Sequence, residues 1–325
     1  MPGKSRLARE LGVSDKIVVC ALEQLEHEGL LVGQGQRRVR LIVSHGKESA
    51  RPLRVAILAY ESPALAAGYM VELRHLLAEA GHSVFFAGKS QLELGMKVSA
   101  IDRLVEKTQV DAWVVDAGSR EVLEWFSALP IPTLALFGRR RGLPIAAVGP
   151  DKPPAMARVT RTLIELGHRR IVLLCRRIRR LPEPGESERA FLNELEVHGI
   201  QTGAYHLPDW EESIGGFHEL LKSLFRHTPP TALIIDEAPF FVAAQQFLAR
   251  QELRVPGDVS LVSTDASPDF AWCQPPITHI RWDHRPVVRR IVRWAANISH
   301  GRKDLRQTLT RAEFVSGGTI GPARR

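Results

Sequence analysis

LRVAILAY, residues 53–60, is an apolar run of eight residues interrupted only by Arg54, too short for a core helix and rich in Val, Ile and Leu. Such a run reads as a strand buried on both faces, and a strand of that kind needs helices packed on either side of it. The sequence around it supplies them. A helical pattern reaches Ala80, and HSVFFAG (82–88), a helix near 96–107, VDAWVVDAG (110–118), a helix over 119–129 and PTLALFG (132–138) then alternate. Strands alternating with helices at this spacing predict βαβ units and a parallel sheet, hence a doubly wound lobe.

The rhythm restarts after Asp151 with a helix to Gly167, RRIVLLC (169–175), a helix over 186–198, AYHLP (204–208), a helix over 213–226, TALIIDE (231–237), a helix over 238–251 and VSLVST (259–264). A second lobe of like design is expected. THIRWD (278–283), a helix from Pro286 to His300 and RQTLTRAEFVSG (306–317) add one more strand, helix and strand that shuttle between the lobes. The expected division puts 53–148 with 284–302 in the first lobe and 149–283 with 303–325 in the second.

Composition agrees with a folded protein. The 325 residues are 44% hydrophobic and 25% charged, which excludes disordered, fibrous and low-complexity classes, and the length exceeds what one core organises. Cys20, Cys175 and Cys273 show no C-x-x-C spacing, so neither a disulfide framework nor a zinc site is expected and a reducing cytoplasm fits. No apolar stretch approaches the ~20 residues of a membrane span, and no signal-peptide core opens the chain, so membrane insertion and secretion are not expected. The net charge of +8 permits an anionic partner such as nucleic acid. Most of that excess lies in residues 281–325, with eleven Lys and Arg against three Asp and Glu; residues 1–51 hold nine against six.

Ahead of the lobes, SHGKESARP (44–52) is polar and reads as a linker. Residues 1–43 form a separate small unit. Leu7 and Leu11, then Val18, Ala21, Leu22 and Leu25, recur at helical spacing on either side of Gly12, and Ser14 is placed to cap the second helix, which Gly29 ends. Two β-prone runs then flank GQGQRR (33–38), giving the order helix, turn, helix, hairpin.

These residues carry a resemblance. RLARELGVSDKIVVCALEQLEHEGLLV (6–32) resembles a GntR-type winged helix-turn-helix over residues 1–43. From Leu53 onward the chain is similar to the effector domain of LacI/GalR-type regulators, itself similar to periplasmic sugar-binding proteins; the phrases are LIELGHRRIVLL (163–174), PPTALIIDE (229–237), FLARQELRVPGDVSLVSTD (247–265) and PPITHIRWD (275–283). The resemblance implies a bacterial transcriptional regulator, expected to be a repressor: a homodimer that binds double-stranded operator DNA and responds to a small-molecule effector of sugar type. The family's first head helix has no counterpart, so either translation starts upstream of Met1 or the head is trimmed.

In such a head the recognition helix enters the major groove and the wing reaches the backbone or minor groove. Lys4, Arg6, Ser14, Lys16, Arg37, Arg38 and Arg40 are the candidate DNA contacts. The outward positions of the second helix are Asp15, Lys16 and Val19, and the sequence departs from the family wording at Asp15 and Val19, where Arg is usual, and at Ser5, which stands for the Arg before L-A. The plain structural alternative is a winged remnant that makes protein contacts, its arginines a solvated face.

In open α/β sheets ligands bind beyond the carboxyl ends of the strands, and a two-lobed protein gathers those ends in the cleft between lobes. The candidate ligand contacts are Tyr60, Ser62, Asp116, Asp151, Arg176, Trp210, Asp236 and Asp265, with Tyr60 or Trp210 as the aromatic face. Several have structural alternatives: Asp116 and Asp236 as helix caps, Asp209 and Trp210 as a turn with its indole on the surface, Arg176 as part of a solvated RRIRR loop. Two usual sugar grips are missing, because Ser187 stands where Arg often precedes Phe191 and Ala266 replaces a second carboxylate. The sequence holds no G-x-S-x-G, no phosphate-binding loop and no H-E-x-x-H, so no enzyme, cofactor or metal is expected; His168 in GHRR reads as a structural turn residue. Two rivals remain: a solute-binding or protein-interaction module in the cytoplasm, and an enzyme on a doubly wound fold.

Overall fold

Every second residue of each strand points to the same side of its sheet, and here both sides are buried. In the strand Arg54–Leu58, Val55 and Ile57 join one apolar cluster while Ala56 and Leu58 join another. In Ile171–Leu174, Val172 and Leu174 face one cluster and Ile171 and Leu173 the other. The computed structural model describes residues 4–27, 31–34, 39–42, 51–62 and 68–324, which divide into two compact units, 1–52 with 299–302, and 53–298 with 303–325.

The first unit contains α1 (Lys4–Leu11), α2 (Asp15–His27) and an antiparallel hairpin of β1 (Leu31–Gln34) and β2 (Val39–Ile42), with Leu31 opposite Ile42 and Gln34 opposite Val39. Gly12 takes the left-handed conformation that the tight turn between the helices requires. Ala8, Val18 and Leu22 form its small core, with Leu7 and Leu25 packed against them. Gly29, Arg37, Arg38 and all but the last two residues of the expected linker (44–52) lie outside the described residues.

The second unit runs β3 (Arg54–Leu58), α3 (Gly68–Glu79), β4 (Ser83–Phe86), α4 (Val98–Glu106), β5 (Ala112–Asp116), α5 (Arg120–Ala128), β6 (Thr133–Leu136) and β7 (Ala146–Asp151) through the first lobe. The second lobe follows with α6 (Pro153–Glu165), β8 (Ile171–Leu174), a single-turn α7 (Arg177–Arg180), α8 (Glu186–Val197), α9 (Ile214–His227), β9 (Ala232–Ile235), α10 (Ala238–Arg250), β10 (Ser260–Ser263) and β11 (His279–Trp282). Then α11 (His284–Ser299) returns to the first lobe, its Val287, Ile291 and Trp294 packed in the core with α3, and β12 (Gln307–Val315) closes the chain.

Strand order is β4-β3-β5-β6-β7-β12-β11-β10-β9-β8, all neighbours parallel except β11 and β12. Residues 303–325 were expected wholly in the second lobe, but they are shared. β12 has nine residues, enough for Gln307–Arg311 to pair with β7 in one sheet while Ala312–Val315 pair with β11 in the other. AYHLP, expected as a strand, is a turn at the sheet edge that touches β8 through His206, whose carbonyl accepts from the Leu173 amide and whose Nδ1 meets the Ile171 carbonyl, both at 2.8 Å.

The loops after the strands are held close. Gly138 has φ +72°, and a Cβ there would lie 2.5 Å from the Gly118 carbonyl, so the loops after β5 and β6 touch backbone to backbone because Gly138 carries no side chain. Gly138→Ala should cost about 1–3 kcal/mol, read as a fall of several degrees in the thermal unfolding midpoint.

Candidate functional site

Because the strands of each lobe are parallel, their carboxyl ends converge on one cleft of about 2060 Å³. β3 delivers Tyr60 and Glu61, β5 Asp116 and Ala117, β6 Phe137 to Arg141, β7 Asp151, β9 Glu237, β10 Asp265 and β11 Trp282; the segment after β8 supplies Arg176 to Arg189. Ala117, Phe137 and Glu237, all non-glycine, take positive φ of 46°, 61° and 65° just beyond their strands. Such strained residues are held in place by surrounding structure and cluster at ligand sites.

Arg176 organises one side. Its guanidinium forks onto Glu237 with Nε and Nη2 at 2.9 and 2.8 Å, donates Nη1 to Glu212 at 2.8 Å, and reaches Glu61 of the opposite lobe at 2.8 Å. Phe240 lies under it at 4.8 Å and Tyr60 at 5.6 Å. The Tyr60 hydroxyl crosses in the other direction, donating to Glu212 at 3.3 Å, and burial pushes its pKa up. Arg176 is therefore buried rather than part of a solvated loop, and it clamps three carboxylates of its own chain.

A second bridge lies at Arg139. From the loop after β6 it donates to the carbonyls of Ile178, Arg179 and Glu183 at 2.6, 2.8 and 2.5 Å, and Arg141 pairs with Glu186 at 2.5 Å. Both residues belong to the first lobe and all their partners to the second. Between the bridges, Lys152 pairs with Asp265 at 2.7 Å, and Trp282 donates its indole N–H to the same carboxylate oxygen at 2.9 Å. Arg179 pairs with buried Asp236 at 2.8 Å; burial pushes that carboxyl up, but Arg179 and Lys152 outweigh it and hold it below its ordinary value.

Of the expected ligand contacts, Tyr60, Asp116, Asp151, Arg176 and Asp265 line the cleft. Ser62 is exposed and donates to Glu93 at 3.2 Å outside it. Asp236 lies beneath the lining, taking the Thr264 hydroxyl at 2.8 Å rather than capping α10. Trp210 is neither a stacking face nor a surface indole. It packs against Phe217 and Phe240 in the second lobe's core and donates to the Cys175 carbonyl at 3.2 Å, because its ring is apolar enough to be worth burying once that N–H has a partner. The aromatic wall of the cleft is instead Tyr69, Phe137 and Trp282, packed edge to face with centroids 5.4 to 6.1 Å apart. Trp282 and Phe137 stand at the ends of strand runs the sequence does single out, THIRWD and PTLALFG; Tyr69 carries no comparable signal. His168 is buried between the Thr231 hydroxyl and the Gly321 carbonyl, both at 2.9 Å, a structural residue.

The head residues are placed on two helices. Lys4, Arg6, Ser14 and Lys16 are exposed, with Ser14 at the start of α2, and Arg40 sits on β2. Val19 is half-buried, whereas Ile17 is exposed. The two departures at Ser5 and Asp15 meet: the Ser5 hydroxyl donates to the Asp15 carboxylate at 3.0 Å, tying α1 to the positive end of α2.

Comparison with known proteins follows this geometry. Residues 160–320 match the periplasmic binding protein-like domain family. The fold is periplasmic-binding-protein-like. The chain is 28% identical over 144 residues (43% of its length) to the lactose operon repressor of Escherichia coli, and 28% identical over 189 residues (57%) to an HTH-type transcriptional regulator of Streptomyces limosus. It spans only 38% and 52% of those relatives' own lengths. A solved lac repressor dimer, bound to operator and an anti-inducer, superposes with a TM-score of 0.67 at 21% identity, covering 83% of this chain and 95% of that one. Among the described residues no helix is long and apolar enough to cross a membrane, and no group of three His, Cys, Asp or Glu is placed to hold a metal ion.

Within this periplasmic-binding-protein-like cleft, Asp116 is distinctive. It is buried, its Oδ1 has no hydrogen-bond partner, and its pKa is raised to about 7: burial drives the shift, a backbone hydrogen bond from Tyr60 opposes it, and the charges of Glu237 and Glu61 add to it. The folded state thus keeps a proton that the unfolded chain releases near its ordinary value of 3.8, and this contribution to stability is lost as pH rises from about 4 to 7. In urea titrations the wild type should lose about 1.4 kcal/mol per pH unit over that window relative to Asp116→Asn. Arg139→Ala should detach one bridge, and hydrogen exchange of the amides in 177–189 should rise severalfold while the β8 and β9 amides stay protected.

Proposed function

We propose that this protein is a ligand-responsive, DNA-binding transcriptional regulator, acting as a homodimeric repressor in the cytoplasm, with a small polar molecule of sugar type as its effector. The observation that carries the reading is the bridged cleft: two lobes held together by side chains at their mouth, in a fold shared with a repressor structure bound to operator and anti-inducer. A molecule bound between Asp265, Trp282 and the opposite lobe changes the balance of those bridges, and coupling of about 1–3 kcal/mol to DNA affinity is the usual scale for such a device.

The head supports the DNA half of the reading. Two short helices joined through Gly12 and followed by a hairpin make a winged helix-turn-helix order, and the GntR-type wording of residues 6–32 favours α2 as the recognition helix. Exposed Lys4, Arg6 and Lys16 on those helices supply phosphate contacts. Asp15, turned to Ser5, acts within the head rather than toward a base. A protein-contact head is the second reading, favoured by Leu11 and Ile17, which are 67% and 58% exposed.

Fluorescence anisotropy of the full chain with the duplex upstream of its own gene tests the proposal. Binding should weaken steeply with salt, and Lys16→Ala should lower the slope of log K against log salt by about one unit. A flat titration at low salt sinks the DNA reading and leaves the protein-contact head.

A further inference from the structure

The cleft's acids and bases do not cancel evenly. Asp265 is taken by Lys152, Asp236 by Arg179, Glu237 by Arg176 and Glu186 by Arg141. These carboxylates, the ordinary acceptors for a ligand's hydroxyls, are already occupied by cations of the same chain. Asp116, with its pKa raised to about 7, is largely protonated only below neutrality.

Among the described residues, two cations of the lining, Arg139 and Arg140, have no ion pair; Arg139 is satisfied by three carbonyls, and Arg140 is not. Arg140 lines the cleft beside Phe137, and among the described residues it has no ion pair; its guanidinium donates only to the Gly138 carbonyl, at a long 3.4 Å. Asp151 and Glu186 are the acids whose charges it feels, yet neither is within ion-pair distance. Burial pushes its pKa down, as expected for a guanidinium removed from water without a counter-ion. The guanidinium also lies close on β7: a Cβ on Gly149 would come within 3.0 Å of its Nη2 and of the Phe137 ring. A desolvated cation without a partner is costly, and its free donors favour a planar or tetrahedral oxyanion that takes two parallel hydrogen bonds.

The geometry points to an effector that carries an oxyanion, a carboxylate or a phosphate, held by Arg140 on the floor of the cleft, with the uncharged part of the molecule against the Tyr69, Phe137 and Trp282 wall. This rests on the cleft being the effector site of the proposed regulator. A neutral sugar leaves Arg140 uncompensated; a sugar acid or sugar phosphate does not.

Thermal unfolding of the full chain in Tris-chloride, titrated with inorganic phosphate, acetate, glucose 6-phosphate, glucuronate and glucose, tests it. The phosphate pair or the carboxylate pair should raise the unfolding midpoint in a saturable way, which also separates the two sources, and glucose should not. Arg140→Met should bind the effective anion at least tenfold more weakly and, without added oxyanions, should unfold no earlier than the wild type, since it removes an unpaired charge. Should that variant not fold, Arg140→Gln, which keeps a polar side chain but removes the charge and the fork of donors, replaces it with the same expected loss of affinity. The inference is overturned if no added oxyanion acts, if glucose acts alone, if the variant responds like the wild type, or if Arg140→Met is destabilised in Tris-chloride without added oxyanion. DNA anisotropy with the same additions is read separately. Anion binding through Arg140 without any DNA binding keeps this inference and removes the regulator reading, whereas DNA affinity that responds only to glucose does the reverse.

Discussion

A guanidinium taken out of water must find acceptors, and Arg176 finds three carboxylates from two lobes. Glu212 and Glu237 come from its own lobe and Glu61 from the other, with Phe240 and Tyr60 against its face. Burying one cation among three acids leaves negative charge near the β5 terminus, and that charge, after burial, is what keeps Asp116 protonated near neutrality. The clamp at the cleft mouth thus adds to a titration inside it that burial of Asp116 itself drives. Arg139 repeats the logic with neutral partners, using three carbonyls beyond β8 where Arg176 uses carboxylates.

These bridges are possible because the sheets are parallel. Apart from β12, which runs antiparallel to β11, the strands of a lobe end at one edge, so loops distant in sequence, such as those after β3 and β8, meet across the cleft. The long β12 holds the two sheets to each other by pairing with one along its first half and the other along its second. Where the loops crowd, glycine is what lets backbone meet backbone, as where Gly138 meets Gly118.

In the head, two departures from a familiar wording turn out to be one interaction. Ser5 and Asp15 look like separate losses of phosphate contacts when read along the chain, but their side chains are hydrogen-bonded. A short hydroxyl cannot reach a phosphate as an arginine does, yet it fits an aspartate at a helix start, where the negative charge also suits the helix dipole.

The alternation of buried runs and amphipathic helices was enough to determine the doubly wound lobes, the strand sites and the return of α11, because burial on two faces leaves a mark in local sequence that needs no knowledge of neighbours. The same reasoning placed Asp116, Asp151, Arg176 and Asp265 at strand ends, and hence in the cleft. It failed where the outcome depends on partners far along the chain. Trp210 and Asp209 read as a surface turn, but Trp210 is drawn inward by Phe217 and Phe240; AYHLP has strand composition, but it is a turn at the sheet edge, touching β8 through His206. Tyr69, Phe137 and Trp282 are 68 or more residues apart and form a wall only after folding. Which arginine is satisfied and which is left open is likewise a tertiary fact: Arg139, Arg140 and Arg141 are consecutive and chemically identical, and only the positions of carbonyls, Glu186 and Gly149 in space set Arg140 apart.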